Sequence, residues 1–307
     1  MWRRHHGNVP TGVVDVGSNT VRLHVAYDGE TVFSERTLLG LGEAVERYGA
    51  IPEEKLAEAA ACVAGYVEDA RSHGAGLLEV LVTSPGRQAS NGDELVRRLE
   101  RATEVPVRLL TAVDEARLAF AGGLAVARVP PGRSVAVVDV GGGSAQIAVG
   151  TRRDGPTWMR SIDIGSIRLT SRCVSHDPPT LDELSAMRTE VARFLADVTP
   201  PQPRLALAVG GSARNLRKVA ETSRLGPGEL AGAIDLLLST PATELMHRFD
   251  VDPGRVRTLL AGAVILEGIR ELLGTGFRVV RSGVREGAVL ELEAGDVRAL
   301  VVLHVAA

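Results

Sequence analysis

Lysine is all but missing from this chain of 307 residues. Lys55 and Lys218 stand alone among 35 basic residues, and the other 33 are Arg. Any anion held by side chains therefore meets a guanidinium, whose planar fork suits phosphate. A basic excess is missing too. The 35 basic and 38 acidic residues leave a formal charge of −3, whereas a nucleic-acid partner usually calls for a positive surplus. Two cysteines, Cys62 and Cys173, make neither a disulfide framework nor a zinc pattern, so a reducing cytoplasm fits. Long hydrophobic runs are absent. The longest stretch without a charge is 140–151, 12 residues, and a membrane-spanning helix needs about 20. The start, MWRRHHGNVP, is basic, but the apolar run after it is short and contains Asp15, unlike a signal peptide. There is no Walker A sequence and no GxGxxG that opens a helix after a strand. These absences point away from nucleic-acid and membrane partners and toward a cytoplasmic protein.

What is present is an ordinary globular balance of 45% hydrophobic and 24% charged residues. The length suits two domains of roughly 120–170 residues. Residues 13–26 read VVDVGSNTVRLHVA and residues 137–150 read VVDVGGGSAQIAVG, aligned without a gap at an offset of 124. Each segment reads as a buried strand, a tight polar turn and an alternating strand. Two similar domains, each opening with the same hairpin, are the simplest account. Val129-Pro130-Pro131-Gly132 breaks the chain, so the expected domains are 11–128 and 132–307, with the last helix or strand packing back on the first.

Between these landmarks the pattern alternates. Pro52–His73 reads as an amphipathic helix with Pro at its start. Leu77–Val82 and Val105–Leu110 read as strands, and Gly92–Glu104 and Asp114–Ala127 as helices. In the second half, a strand is expected near Trp158–Ile164 and a helix over Leu181–Asp197. Leu205–Val209 should be a buried strand, helices should follow near 228–239, 241–249 and 254–273, and Phe277–Arg281 should be a strand before a helix over Arg285–Leu292. Val297–Val305 is apolar and fits helix or strand equally. Alternating strands and helices indicate an α/β fold.

The turns carry the chemistry. Gly17-Ser18-Asn19-Thr20 and Gly141-Gly142-Gly143-Ser144 each follow a strand that carries an aspartate near its end, Asp15 or Asp139. Glycine lets consecutive N–H groups converge on an oxyanion, and hydroxyl and amide groups add donors. An aspartate at a strand end can hold Mg²⁺ directly or through water. Two such loops facing each other across a cleft would clamp phosphate; as plain hairpin turns they would carry the same residue types. Gly210-Gly211-Ser212 is a third loop after a buried strand, which adds Gly211 and Ser212 to the phosphate-binding candidates. Arg87, in TSPGRQASN (83–91), either grips phosphate bidentately or is a solvated loop arginine. Asp114-Glu115 at a helix start either offsets the helix dipole or orients and deprotonates a water. Spacing does not choose. His5 and His6 sit in a terminal segment expected to be mobile, Cys62 is expected in the core, and Trp2 and Trp158 have no evident partners.

Eight segments then run in the order of one known family: VDVGSNTVRL (14–23), LGLGEAV (39–45), TSPGRQASN (83–91), DEARLAF (114–120), VVDVGGGSAQI (137–147), IDIGSIRLT (162–170), AVGGSARNL (208–216) and SGVREGAVL (282–290). The chain resembles the exopolyphosphatase / guanosine pentaphosphate phosphohydrolase (Ppx/GppA) family, and it ends where short members end. The resemblance implies two ribonuclease-H-like domains around a cleft, of the actin–hexokinase–Hsp70 superfold. It implies hydrolysis of the terminal phosphoanhydride of polyphosphate or, as the alternative, of guanosine pentaphosphate, with Mg²⁺ (Mn²⁺ as the substitute) and a homodimer. By position it makes Glu115 the catalytic base. Arg87, Ser18, Asn19 and Thr20 would hold phosphate, with Gly17 as their turn glycine. Gly141, Gly142, Gly143 and Ser144 would hold it from the second loop, and Asp15 and Asp139 would support the metal. This chain departs from the pattern at Gln146, where the family has Glu. Smaller departures are Pro85 for Ala, Asp114 for Glu, and the missing Asp after Ser282. The loss of a carboxylate at 146 opens a reading of another class, a polyphosphate or alarmone binder with little turnover.

Overall fold

The computed structural model describes residues 9–305, with side chains as far as 295. Trp2, His5 and His6 lie outside the described residues. In chain order, the first strands and helices are β1 (Thr11–Val16), β2 (Thr20–Tyr27), β3 (Glu30–Leu38), α1 (Leu41–Tyr48), α2 (Glu53–Ser72), β4 (Leu77–Val82), α3 (Ser84–Gln88), α4 (Gly92–Thr103) and β5 (Val107–Leu109). Then follow α5 (Ala112–Val126), β6 (Val135–Val140), β7 (Ala145–Thr151), β8 (Gly155–Ile162), α6 (Ser166–Cys173), α7 (Leu181–Leu195), β9 (Leu205–Val209), α8 (Gly210–Val219) and β10 (Arg224–Leu225). The last are α9 (Pro227–Ser239), α10 (Ala242–Phe249), a 3₁₀ turn Val256–Thr258, α11 (Leu259–Leu273), β11 (Phe277–Val279) and α12 (Val284–Val305). The α/β expectation holds, and 297–305 belongs to one helix that begins at Val284.

Contacts divide the chain into two units, Met1–Thr111 with Arg285–Ala307, and Ala112–Val284. The division falls at Thr111, ahead of the Pro130–Gly132 break read as the boundary. The reason is packing: α5 lies on β6, β7 and β8, and its buried Leu118, Phe120 and Leu124 fall on the second unit's side of the division. α12 groups with the first unit, where Arg108 on β5 meets Glu291 on α12 at 2.8 Å and Glu79 on β4 at 3.2 Å.

The first unit holds a five-stranded sheet in the order β3-β2-β1-β4-β5. β1 runs antiparallel to β2 and parallel to β4. The second unit holds six strands, β10-β11-β9-β6-β7-β8, in which β6 runs antiparallel to β7 and parallel to β9. Strand for strand, β3-β2-β1-β4 and β8-β7-β6-β9 have the same order and directions. β1 and β6 even share one burial pattern, in which only Asp15 and Asp139 are not fully buried. Such strands read as continuous Val runs because both faces are covered. Val14, Leu23, Leu56, Val63 and Leu95 centre one core; Val138, Ile147, Leu169, Met187 and Leu266 centre the other. Cys62 is half-buried against the first core and Trp158 against the second.

The helix ends follow local chemistry. Pro52 and the acidic pair Glu53 and Glu54 open α2, offsetting the helix dipole. α7 opens with a capping box: Glu183 N donates to Thr180 Oγ1 at 3.2 Å, and Thr180 N donates to Glu183 Oε2 at 2.8 Å. Glu183 Oε1 also accepts from Ser175 N at 2.6 Å and Ser175 Oγ at 2.9 Å. Burial alone would raise this carboxyl, but the Thr180, Ser175 and His176 donors outweigh it and bring the pKa to about 2 from an ordinary 4.5. A depressed carboxylate stabilises fully above its unfolded pKa and loses that contribution as pH falls through its folded one. Glu183→Gln should therefore lower Tm at neutral pH and flatten the acid limb of stability between about pH 5 and 2. Thermal scans across that range check it, and an unchanged acid limb would count against this account.

Candidate active site

The second unit carries most of the predicted residues. The turn between β6 and β7 is closed by Gly141 N donating to Ser144 O at 2.9 Å. Two more of its carbonyls are taken by the start of α6: Ser166 N donates to Gly141 O and Ile167 N to Gly142 O, both at 2.9 Å. Ser166 Oγ adds a bond to Gly141 O at 3.2 Å. With its carbonyl oxygens turned toward the helix, the loop loses much of the negative potential that would repel an anion, which is the condition for an N–H cradle. Gly165 makes the approach feasible. A Cβ there would lie 2.3 Å from Gly142 C and O and 2.5 Å from Gly143 N, all backbone atoms that cannot step aside. Gly165→Ala should cost roughly 1–3 kcal/mol or more in overpacking and weaken phosphate binding at least tenfold. Denaturant unfolding and calorimetric titration with phosphate check both.

Asp139 leaves β6 at a crossroads of glycines. A Cβ on Gly210, whose φ is +80°, would sit 2.0 Å from Asp139 Oδ1, while one on Gly283 would keep 3.9 Å from Oδ2. The carboxylate therefore rests directly on the Gly210 Cα. Gly210, Gly211 and Ser212 form not a loop but the first turn of α8; there a Cβ on Gly211 would lie 2.8 Å from Arg255 Cζ, so a buried guanidinium covers that glycine. Ser212 is buried, and its Oγ would lie 3.1 Å from a Cβ on Gly262 of α11. Glu115 is in the first turn of α5 and only 8% exposed; its neighbour Asp114 reaches Arg117 at 3.5 Å. Gln146, 1% exposed, is the cross-strand partner of Asp139 on one side and of Ser161 on the other. The short hydroxyl chain after Arg281 is anchored, since Ser282 Oγ donates to Gly122 O at 2.6 Å.

The first unit repeats the loop construction. Gly17 N donates to Thr20 O at 3.1 Å, and the carbonyls of Ser18 and Asn19 accept from Gly42 N at 2.6 Å and from Leu39 N and Gly40 N at 3.0 and 3.1 Å. Ser18, Asn19 and Thr20 are all buried, and Ser18 Oγ is bonded to Ser84 Oγ at 2.7 Å. Gly42, like Gly165, has no room for a Cβ, which would lie 2.6 Å from Ser18 Cβ. Asp15 stands across from Arg22 and beside Leu81. Arg87 sits not on a loop but on the one-turn helix α3, where its Nη1 donates to Leu110 O at 2.8 Å.

So Asp139, Gly141–Ser144, Gln146, Gly211 and Ser212 fall at the ends of β6, β7 and β9 of one unit, to which α5 also brings Glu115. Asp15, Gly17–Thr20 and Arg87 fall in the other. Leu39, Gly40, Gly42, Gly165, Ser166, Ile167 and Arg255 were not among the expected site residues. The two glycine-bearing segments LGLGEAV and IDIGSIRLT hold all but the last of them. Their signal was a glycine immediately ahead of a short helix, in matching places of the two repeats.

The Ppx/GppA phosphatase family model matches residues 20–295. The chain belongs to the Ppx/GppA phosphatase family. An uncharacterized protein of Streptomyces coelicolor is 32% identical over 91% of this chain and 89% of its own. Exopolyphosphatase 1 of Mycobacterium leprae is 29% identical over 91% and 88%. The crystal structure of the Aquifex aeolicus Ppx/GppA family member superposes with a TM-score of 0.76 at 26% identity, covering 92% of this chain and 97% of that one. This Ppx/GppA protein is thus a family phosphatase with the expected α/β fold of two sheets, and its reaction class is phosphoanhydride hydrolysis. Among the described residues no helix is long and apolar enough to cross a membrane.

Mg²⁺ usually takes one or two carboxylates, substrate phosphate oxygens and retained waters rather than a full protein cage. Among the described residues no three His, Cys, Asp or Glu are grouped to hold a metal ion. Asp139, held in one position against the Gly210 Cα, fits this lighter demand.

Proposed function

We propose that this Ppx/GppA phosphatase hydrolyses the terminal phosphoanhydride of inorganic polyphosphate. The observation that carries the reading is the repeated loop, Gly17–Thr20 and Gly141–Ser144, in each of which two carbonyls (Ser18 and Asn19, Gly141 and Gly142) are taken by N–H groups at or just ahead of a short helix. Loops built this way present donors, and a polyphosphate chain offers a run of identical anionic groups to them. Glu115 orients the attacking water and accepts its proton. The Gly141–Ser144 loop and Ser212 hold the phosphoryl oxygens as charge shifts to the leaving group. In the first unit, the Gly17–Thr20 loop and Arg87 offer phosphate donors of the same kind. Asp139 would hold Mg²⁺ or Mn²⁺, which when bound neutralises phosphate charge, and Asp15 holds the equivalent place in the first unit.

The test is phosphate release from short polyphosphate, long polyphosphate and guanosine pentaphosphate, with and without Mg²⁺. Metal-dependent release fastest on polyphosphate is expected. Faster release from guanosine pentaphosphate would move the assignment to the nucleotide, and silence on every substrate would overturn it. Gln146 favours a second reading, binding with slow turnover, because an amide takes no proton and adds no charge beside Asp139. Tight polyphosphate binding with negligible turnover, restored by Gln146→Glu, would establish that reading instead.

A further inference from the structure

Gln146 is nearly inaccessible, yet both hydrogens of its amide are committed. Nε2 donates to Ser144 Oγ at 2.8 Å and to Ser161 Oγ at 3.3 Å. A serine hydroxyl has one hydrogen to give and two lone pairs to receive. Once Ser144 Oγ accepts from the amide, its own hydrogen is left to be donated elsewhere. The first unit has the same device at the same offset of 124. Arg22, the cross-strand partner of Asp15, donates through Nε to Thr20 Oγ1 at 3.1 Å. In both loops the residue facing the aspartate is a nitrogen donor, and in both it donates to the last hydroxyl of the turn.

We propose that Gln146 is a positioning residue that fixes Ser144 as a hydrogen-bond donor, so that the Gly141–Ser144 loop binds a phosphate oxygen through this hydroxyl without needing a metal ion. The proposal rests on the reading of that loop as a phosphate site. Gln146 itself touches no substrate; its effect passes through Ser144. Ser161 holds the second amide hydrogen and so keeps the first aimed at Ser144. A neutral donor here also leaves the loop's charge unchanged, which favours anions of high charge such as the end of a polyphosphate chain.

The experiment is calorimetric titration of the full chain with methylenediphosphonate, a non-hydrolysable P–C–P anion, in EDTA. Ser144→Ala should weaken binding about tenfold, the scale of a hydrogen bond to a charged group. Gln146→Met, which keeps length and removes the donor, should weaken it about three- to fivefold with Ser144 present and not at all in the Ser144→Ala background. That dependence on Ser144 is something a loss of general stability would not produce. Equal weakening in both backgrounds, or none in either, would overturn the role of Gln146 and leave the phosphate loop standing. Full binding by Ser144→Ala, or no binding by the unaltered chain, would overturn the loop reading and the proposal together. If Gln146→Met does not fold, Gln146→Glu serves: a carboxylate accepts the Ser144 hydrogen and should weaken binding at least tenfold, and unchanged affinity would refute the proposal.

Discussion

Glu115→Gln should lower kcat on polyphosphate by roughly 10²–10⁴-fold, the usual scale for removing a general base, while the affinity for polyphosphate stays within about twofold. The split follows from position. A carboxylate is seldom as buried as this one, at 8% exposed, unless it is paired or has work to do. Its place is the first turn of α5, where a carboxylate faces the positive end of the helix dipole. The amide keeps the shape and the hydrogen-bonding reach but cannot take the water's proton. Stopped assays of phosphate release, paired with titration of a non-hydrolysable analogue, separate the two effects. An unchanged kcat would remove Glu115 from the chemistry and leave it a helix-start residue. A large loss of affinity would make it a binding residue instead.

The second large effect is expected at Gly210. Alanine there meets two obstacles at once. Its φ of +80° is unfavourable for any residue with a Cβ, and that Cβ would lie 2.0 Å from Asp139 Oδ1. The left-handed backbone costs about 1–2 kcal/mol, and the clash adds about 1–3 kcal/mol. The carboxylate is the movable partner, so it will swing off the glycine. Gly210→Ala should thus lose at least tenfold in Mg²⁺ dependence of activity, along with a lower Tm. Gly283→Ala is the control, since its Cβ would keep 3.9 Å from Asp139 Oδ2 and both properties should hold. Equal behaviour of the two variants in metal titrations would show that Asp139 does not serve the metal.

Much of this was legible in the residues. The repeated VVDVG segments announced two hairpins at equivalent places, because a strand covered on both faces has to be apolar and the turn after it has to be small and polar. The amphipathic helices α2 and α7 were visible for the same kind of reason. What escaped has a physical cause too. β3 is an edge strand with every residue at least partly exposed, so no alternation marks it. α1 and α6, eight residues each, are too short to build a periodic stripe. Pro130–Gly132 breaks the chain but not the packing, since α5 before it already lies on the second sheet. The site residues that hold the loops, Gly42 and Gly165, act by lacking a side chain, and only their neighbours' coordinates reveal what that absence permits.

The return of α12 to the first unit has a consequence for synthesis. The second unit is one continuous segment, Ala112–Val284, whereas the first is split across both sides of it. On a ribosome adding roughly 5–20 residues per second, residues ahead of Thr111 emerge first yet wait for Arg285 onward before their unit is whole. During that interval Arg108, on the edge strand β5, has no Glu291 beside it. The part of the protein made first is therefore the part finished last.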